Sequence, residues 1–144
     1  GGRVTAGADS GYMYNLYGFG YVQELELLRE AGFHPMEVIR AATLHAAAAI
    51  GMEDKIGTIE TGKLADLVIM DQNPLKNLKY LYATGDIKLE NNKVIRVGGV
   101  SKTIKDGIIF DARVLLEDVK KIVDEEKNNT PGWEKLLFEN IKRK

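Results

Sequence analysis

Apolar residues recur at three- and four-residue spacing through the first third of the chain. They then recur at strand spacing, and at helical spacing again near the end. The opening run Arg3-Val4-Thr5-Ala6-Gly7-Ala8-Asp9 is short, apolar and small, and it is predicted to be a strand that ends in a carboxylate. Gly11 to Gly20 is a tyrosine-rich loop in which Gly18 and Gly20 supply bends. From Tyr21 to Ala31 the positions Val22, Leu25 and Leu28, with Leu27 and Ala31 beside them, predict a helix, and Gly32 fits the position after its end. Pro35 suits the first turn of a second helix, because its missing N–H would be unpaired there anyway. Ile39, Ala42, Ala46 and Ile50 would line one face of that helix up to Gly51, and the run Ala46 to Ala49 lets a neighbour approach closely.

Beyond Gly51 the pattern becomes that of strands. Ile56-Gly57-Thr58-Ile59 leads through Thr61-Gly62-Lys63 to Leu67-Val68-Ile69-Met70, whose nearly unbroken apolar character predicts a strand buried on both faces. Asn73-Pro74 ends it. Ile87 to Val97 predicts a hairpin about Asn91-Asn92, and Thr103-Ile104 with Ile108-Ile109-Phe110 predicts a second about Asp106-Gly107. Asp111 can cap a helix to about Lys127 with the stripe Leu115, Val119, Ile122, flanked by Leu116 and Val123. Asn128 to Gly132 is expected to be a linker, and Thr130-Pro131 to open a last helix with Trp133, Leu137 and Ile141 on one face.

The 144 residues suffice for one domain and a modest core. Twenty basic residues against 21 acidic ones give a net charge of −1, so no overall field favours nucleic acid or an anionic membrane. The absence of cysteine removes disulfides, thiolate metal sites and a Cys nucleophile. No apolar run approaches the roughly 20 residues that span a bilayer, and no signal-like segment opens the chain, so a soluble, cytoplasmic setting is expected. There is no initial Met and the chain begins almost directly in strand-like sequence, which suggests a piece of something longer.

Chemistry centres on Asp9. A carboxylate at the end of a barrel strand can bind a metal or move a proton, since catalytic groups of a (β/α)8 barrel sit where strands give way to loops. On its own, the same Asp-Ser-Gly is more often a turn whose Asp bonds its own backbone. Ser10 is a nucleophile only if a base reaches it, and neither His34 nor His45 is placed by sequence to do so. Those two histidines show no ligand spacing. Tyr12, Tyr14 and Tyr17 could line a substrate pocket or serve packing. Asp66 reads as structural, and Lys142-Arg143-Lys144 as a solvated complement to a helix end.

Three stretches carry a resemblance. Gly7-Ala8-Asp9-Ser10-Gly11 comes first, then Glu24-Leu25-Glu26-Leu27-Leu28 with Ala31-Gly32-Phe33-His34-Pro35-Met36-Glu37-Val38-Ile39-Arg40-Ala41-Ala42-Thr43, then Ile56-Gly57-Thr58-Ile59-Glu60-Thr61-Gly62-Lys63-Leu64-Ala65-Asp66-Leu67-Val68. Over roughly residues 1 to 125 the sequence resembles the C-terminal portion of the metal-dependent amidohydrolase superfamily, in its imidazolonepropionase-like branch. The resemblance implies an α/β fragment: the last strand and helices of a (β/α)8 barrel over residues 1–51, C-terminal β-sandwich strands over 52–110, and terminal helices over 111–144. It implies hydrolysis of amide-like or cyclic C–N bonds in a small molecule by a metal-activated water. Asp9 matches the family's Asp after the eighth strand, which carries the proton and often touches the metal, with zinc the expected ion. Ser10, Tyr12, Tyr14 and Tyr17 would face the substrate.

The family's His-x-His pair, its bridging carboxylated Lys or Glu and its two further His ligands belong to earlier strands that this chain lacks. One carboxylate cannot hold a catalytic zinc, which takes three protein ligands. The chain alone is therefore expected to be inactive and to hold no metal, with the missing part of the barrel as its partner or, failing that, a second copy of itself. A non-enzymatic oligomerisation module, with Asp9 only a turn residue, is the other class of function open to the sequence.

Overall fold

A computed structural model of the chain describes residues 2–12, 15–130 and 132. The chain divides into two units between Ala112 and Arg113. The first begins with helix α1, Gly20–Glu30, followed by α2, Pro35–Ala42, and α3, Leu44–Ala49. Its strands are β1 (Leu67–Met70), β2 (Asp86–Glu90), β3 (Lys93–Val97), β4 (Val100–Lys105) and β5 (Ile108–Asp111), with a 3-10 turn at Leu78–Leu81 between β1 and β2.

Helix α1 ends as its sequence dictates. Gly32 takes φ +101°, its N–H donates to the Arg29 carbonyl at 3.0 Å, and the Phe33 N–H reaches back to Leu28 at 3.2 Å. This is the Schellman arrangement, and Phe33 and Leu28 both pack against the core that it turns the chain toward. Helix α2 starts on Pro35, and Glu37 accepts the His34 N–H at 2.7 Å, closing one half of a capping box. The core is small: Leu25, Val38 and Leu78 are buried, with Ala6, Ile39, Ala42 and Leu81 against them. Each such side chain contributes about 1.5–3 kcal/mol by leaving water.

The single helix expected from Pro35 to Ile50 is broken at Thr43, whose φ −124° and ψ −87° lie outside the helical region. Thr43 Oγ1 donates to the Ile39 carbonyl at 2.7 Å, the back-bonding by which a hydroxyl competes with the helical ladder. The close approach expected at the alanine run is made by Gly57. A Cβ there would lie 2.6 Å from Ala47 Cβ and 3.1 Å from the Thr43 carbonyl oxygen.

β1, β4 and β5 form an antiparallel sheet in that order, with Leu67 opposite Ile104 and Lys105 opposite Ile108. β2 and β3 form a separate two-stranded sheet. Both hairpin expectations hold: Asn91 and Asn92 take φ +49° and +59°, Asp106 and Gly107 +50° and +79°, the paired positive values of a tight two-residue turn. Gly62-Lys63-Leu64-Ala65-Asp66 ties these parts together. Lys63 donates to the Glu53 carbonyl at 2.6 Å and to Thr58, while Asp66 accepts from Lys105 at 2.6 Å and from the Asp106 N–H at 2.8 Å. Hydrogen bonding from Lys105 first, then from the Asp106 amide, holds the Asp66 carboxyl below its usual range.

Four expectations are corrected. Arg3 to Asp9 is not a strand: among the described residues no strand pairs with it, and an extended segment without a neighbour forms no ladder. Ile56 to Ile59 is a series of turns and bends, bent by Gly57 at φ +92°. β1 is not buried on both faces, since Val68 and Ile69 are exposed in a sheet of only three strands. The linker expected from Asn128 starts later, because helix α4, Ala112–Asn129, continues through Asn129, where the Thr130 N–H still donates to Glu126.

The second unit contributes α4, which has no buried residue; Leu115, Val119, Ile122 and Val123 stand exposed along it. The expected last helix, with Trp133, Leu137 and Ile141, lies outside the described residues.

Candidate functional site

Asp9 stands where segment 2–9, which has no regular secondary structure, turns toward α1. The segment lies against the helices: the Ala6 N–H donates to the Ala41 carbonyl at 3.4 Å, and His45 Nδ1 is 3.2 Å from the Val4 carbonyl oxygen. His45 thereby braces the segment that leads to Asp9, and this contact follows from the packing of α3, which no spacing in the sequence reveals. Asp9 has φ +44°, a left-handed conformation that Asp adopts more readily than most residues. Its carbonyl accepts the Tyr12 N–H at 3.3 Å. The carboxylate-bearing residue is exposed and sits at the first position of a tight turn.

The turn is closed by a residue that sequence reasoning did not single out. Asn15 accepts the Gly11 N–H on its backbone carbonyl at 2.7 Å and donates its own N–H to Tyr12 at 3.0 Å. Its side-chain amide donates to the Ala8 carbonyl. Its head group lies where a Cβ on Gly20 would stand, 1.8 Å from the Oδ1 position, so the contact depends on glycine there. Tyr17 lies over Gly11, with its hydroxyl 2.6 Å from where a Gly11 Cβ would be.

Asp9, Ser10, Tyr12 and Tyr17 thus belong to one loop. Ser10 is half-buried, whereas Tyr12 and Tyr17 are 65% and 78% exposed. Tyr14 lies outside the described residues. Next to the loop, Phe19 stacks on Tyr82 at 5.8 Å between ring centroids. The Tyr82 hydroxyl donates to Glu26 at 3.1 Å; desolvation and then that carboxylate raise its pKa. Tyr21 donates to the Ala42 carbonyl at 3.2 Å, and its burial raises its pKa too.

The donor set offers little to a metal. Among the described residues no three His, Asp or Glu side chains gather at one point, and His34 serves the start of α2. Asp9 alone does not fit the needs of a zinc ion.

The model of the amidohydrolase family matches residues 1–109. An imidazolonepropionase from Shouchella clausii is 38% identical over 105 residues, covering 70% of this chain and 21% of that protein. One from Symbiobacterium thermophilum is 42% identical over 67 residues, covering 46% and 15%. The chain thus spans about a fifth or less of the length of these curated relatives. Among solved structures, a Bifidobacterium longum protein provisionally assigned as a prolidase superposes with a TM-score of 0.59 at 28% identity, covering 81% of this chain and 27% of that one. With the match running from the Asp9 turn through the Lys63 and Asp66 anchors into β5, the chain belongs to the amidohydrolase family and is imidazolonepropionase-like.

Proposed function

We propose that this chain is the part of a metal-dependent hydrolase that supplies its proton-carrying carboxylate, Asp9. The observation that carries the reading is the position of Asp9 at the end of a segment braced on α2 and α3, on a turn that leaves it exposed. The family is one of hydrolases and generally metal-dependent. In the whole protein the bond cleaved is an amide-like or cyclic C–N bond of a small molecule, and the metal, zinc by preference, is held by ligands other than those present here. Asp9 accepts a proton from the attacking water and returns it to the leaving nitrogen, as general base and then general acid. Ser10, Tyr12, Tyr14 and Tyr17 contact the substrate. In domain terms residues 1–51 complete a barrel, residues 52–110 a small sheet domain, and residues 111–144 a helical extension.

Asp9→Asn in the intact protein keeps the size and hydrogen-bonding shape of the side chain and removes its basicity. It lowers kcat by at least about 10²-fold, the low end for loss of a general acid/base. Steady-state turnover of an amide or cyclic C–N substrate decides the matter, and turnover near the parent rate removes Asp9 from the chemistry. A second reading, a structural module that associates through its surfaces, is favoured by the apolar side chains exposed on the small sheets, among them Val68, Leu89, Val94 and Ile108.

A further inference from the structure

From the geometry around the turn we infer that Asn15 is a positioning residue for Asp9, and that Gly20 is glycine so that Asn15 can take its place. The inference rests on the reading of Asp9 as the proton carrier. Three bonds from one residue converge on the five positions that carry the carboxylate. The Asn15 amide holds the Ala8 carbonyl, which belongs to the peptide entering Asp9. Its backbone carbonyl holds the Gly11 N–H and its N–H holds the Tyr12 carbonyl, which fixes the far side of the same turn. The direction of the Asp9 side chain is set by the peptides on either side of it: the entering one is held by the Asn15 amide at the Ala8 carbonyl, and the leaving one by the Tyr12 N–H on the Asp9 carbonyl, with Tyr12 in turn bonded to Asn15.

Asp9 itself is at φ +44°, a left-handed conformation uncommon for a residue with a Cβ though more accessible to Asp than to most, and the bonds to Asn15 favour it. The Asn15 head group is in turn confined by the first turn of α1. A Cβ on Gly20 would fall 1.8 Å from Asn15 Oδ1, 2.6 Å from Cγ and 2.9 Å from Nδ2, overlapping the whole carboxamide. Gly20 is buried and helical, positions at which alanine is ordinarily the better residue. Its glycine therefore answers to Asn15 and not to the helix. A buried seat that excludes a methyl group, made for a side chain whose amide reaches the peptide before Asp9, is a device for orientation.

Two substitutions test this from opposite sides. Asn15→Ala removes the donor. Gly20→Ala leaves Asn15 in the sequence but pushes its head group out, while favouring α1, so a folded protein is retained. In the 144-residue chain, the strong intraresidue HN–Hα nuclear Overhauser effect that marks the left-handed Asp9 is expected to weaken in both variants. In the intact protein kcat is expected to fall tenfold or more, toward the roughly 10²-fold cost of a small misplacement, with KM little changed. A merely structural role would instead lower the active fraction or move kcat and KM together. If the Asp9 signature persists in both variants, or is lost while turnover holds and Asp9→Asn abolishes it, the inference is overturned. If turnover holds in Asp9→Asn as well, the proposed role of Asp9 fails and takes the catalytic part of this inference with it. In that case loss of the signature would show Asn15 to be a turn residue only.

Discussion

Replacing Gly57 by alanine probes the closest approach in the first unit, and its cost can be built from two parts. The first is conformational: at φ +92° a Cβ is strained whatever surrounds it, by about 1–3 kcal/mol. The second is steric. The new methyl would stand 2.6 Å from Ala47 Cβ, 3.1 Å from the Thr43 carbonyl oxygen and 3.2 Å from Leu44 Cα. None of these is the free end of a long side chain, so the helices or the loop must move, at about 1–3 kcal/mol for overpacking of this kind. Stiffening of the unfolded chain returns about 0.4–1 kcal/mol. Gly62→Ala is the control: φ is +93°, but nothing lies within 4 Å of the Cβ position, so only the conformational part applies. The difference between the two variants isolates the contact with the broken helix, and about 1–3 kcal/mol is expected. With a urea slope near 1–1.5 kcal/mol per molar for a chain this small, the Gly57→Ala midpoint should fall about 0.7–3 M below that of Gly62→Ala. Urea unfolding followed by far-ultraviolet circular dichroism measures it. Equal midpoints for the two variants would refute the close packing of Gly57 on α3.

Three further outcomes are expected. Asp66 is held below its ordinary pKa, so its unfolded form binds more protons; its support for the β4–β5 turn is complete above the usual carboxylate value of about 3.9 and is lost as pH falls through the lower folded value. The Asp106 amide proton shift should report that loss in an acid titration, and the absence of any step at Asp66 would contradict it. The purified chain should retain no stoichiometric zinc after dialysis against a mild chelator; elemental analysis giving one ion per chain would reveal a site built from other ligands. The exposed apolar side chains of β1, β2, β3 and β5 should drive association, seen as a weight-average mass that rises with concentration in light scattering, and a monomer mass throughout with cooperative unfolding would defeat this.

The elements readable in the sequence are those decided within a few residues. Asn91-Asn92 and Asp106-Gly107 set their hairpins, Gly32 ends α1, and Pro35 starts α2, because each needs only its own backbone preference and the next turn of chain. What failed depended on distant partners. The Arg3 to Asp9 run has the composition of a strand, but among the described residues no strand pairs with it, and α2 and α3 part at Thr43 although the apolar stripe runs on past it. At the site, the sequence marked Asp9 by its abrupt charge after small residues. It could not mark Asn15 or His45, whose importance lies in which carbonyl each meets after the chain has turned back.

The way β1 finds β4 has a consequence for how the molecule folds. Residues 71–99 intervene, and closing so long a loop is slow when the loop is slack. Here the loop is not slack: β2 and β3 zip from their own two-residue turn, and the Gly99 N–H returns to the Tyr80 carbonyl at 3.1 Å. Once that inner hairpin has formed, Asp86 and Val97 are held together, and the loop left to close is residues 71–85 with the short turn before β4. β1 then has a shorter loop to close, so the three-stranded sheet is expected to assemble after the hairpin. The inner hairpin thus shortens the loop that the larger sheet must close, a use that its separate two-stranded pairing would not suggest.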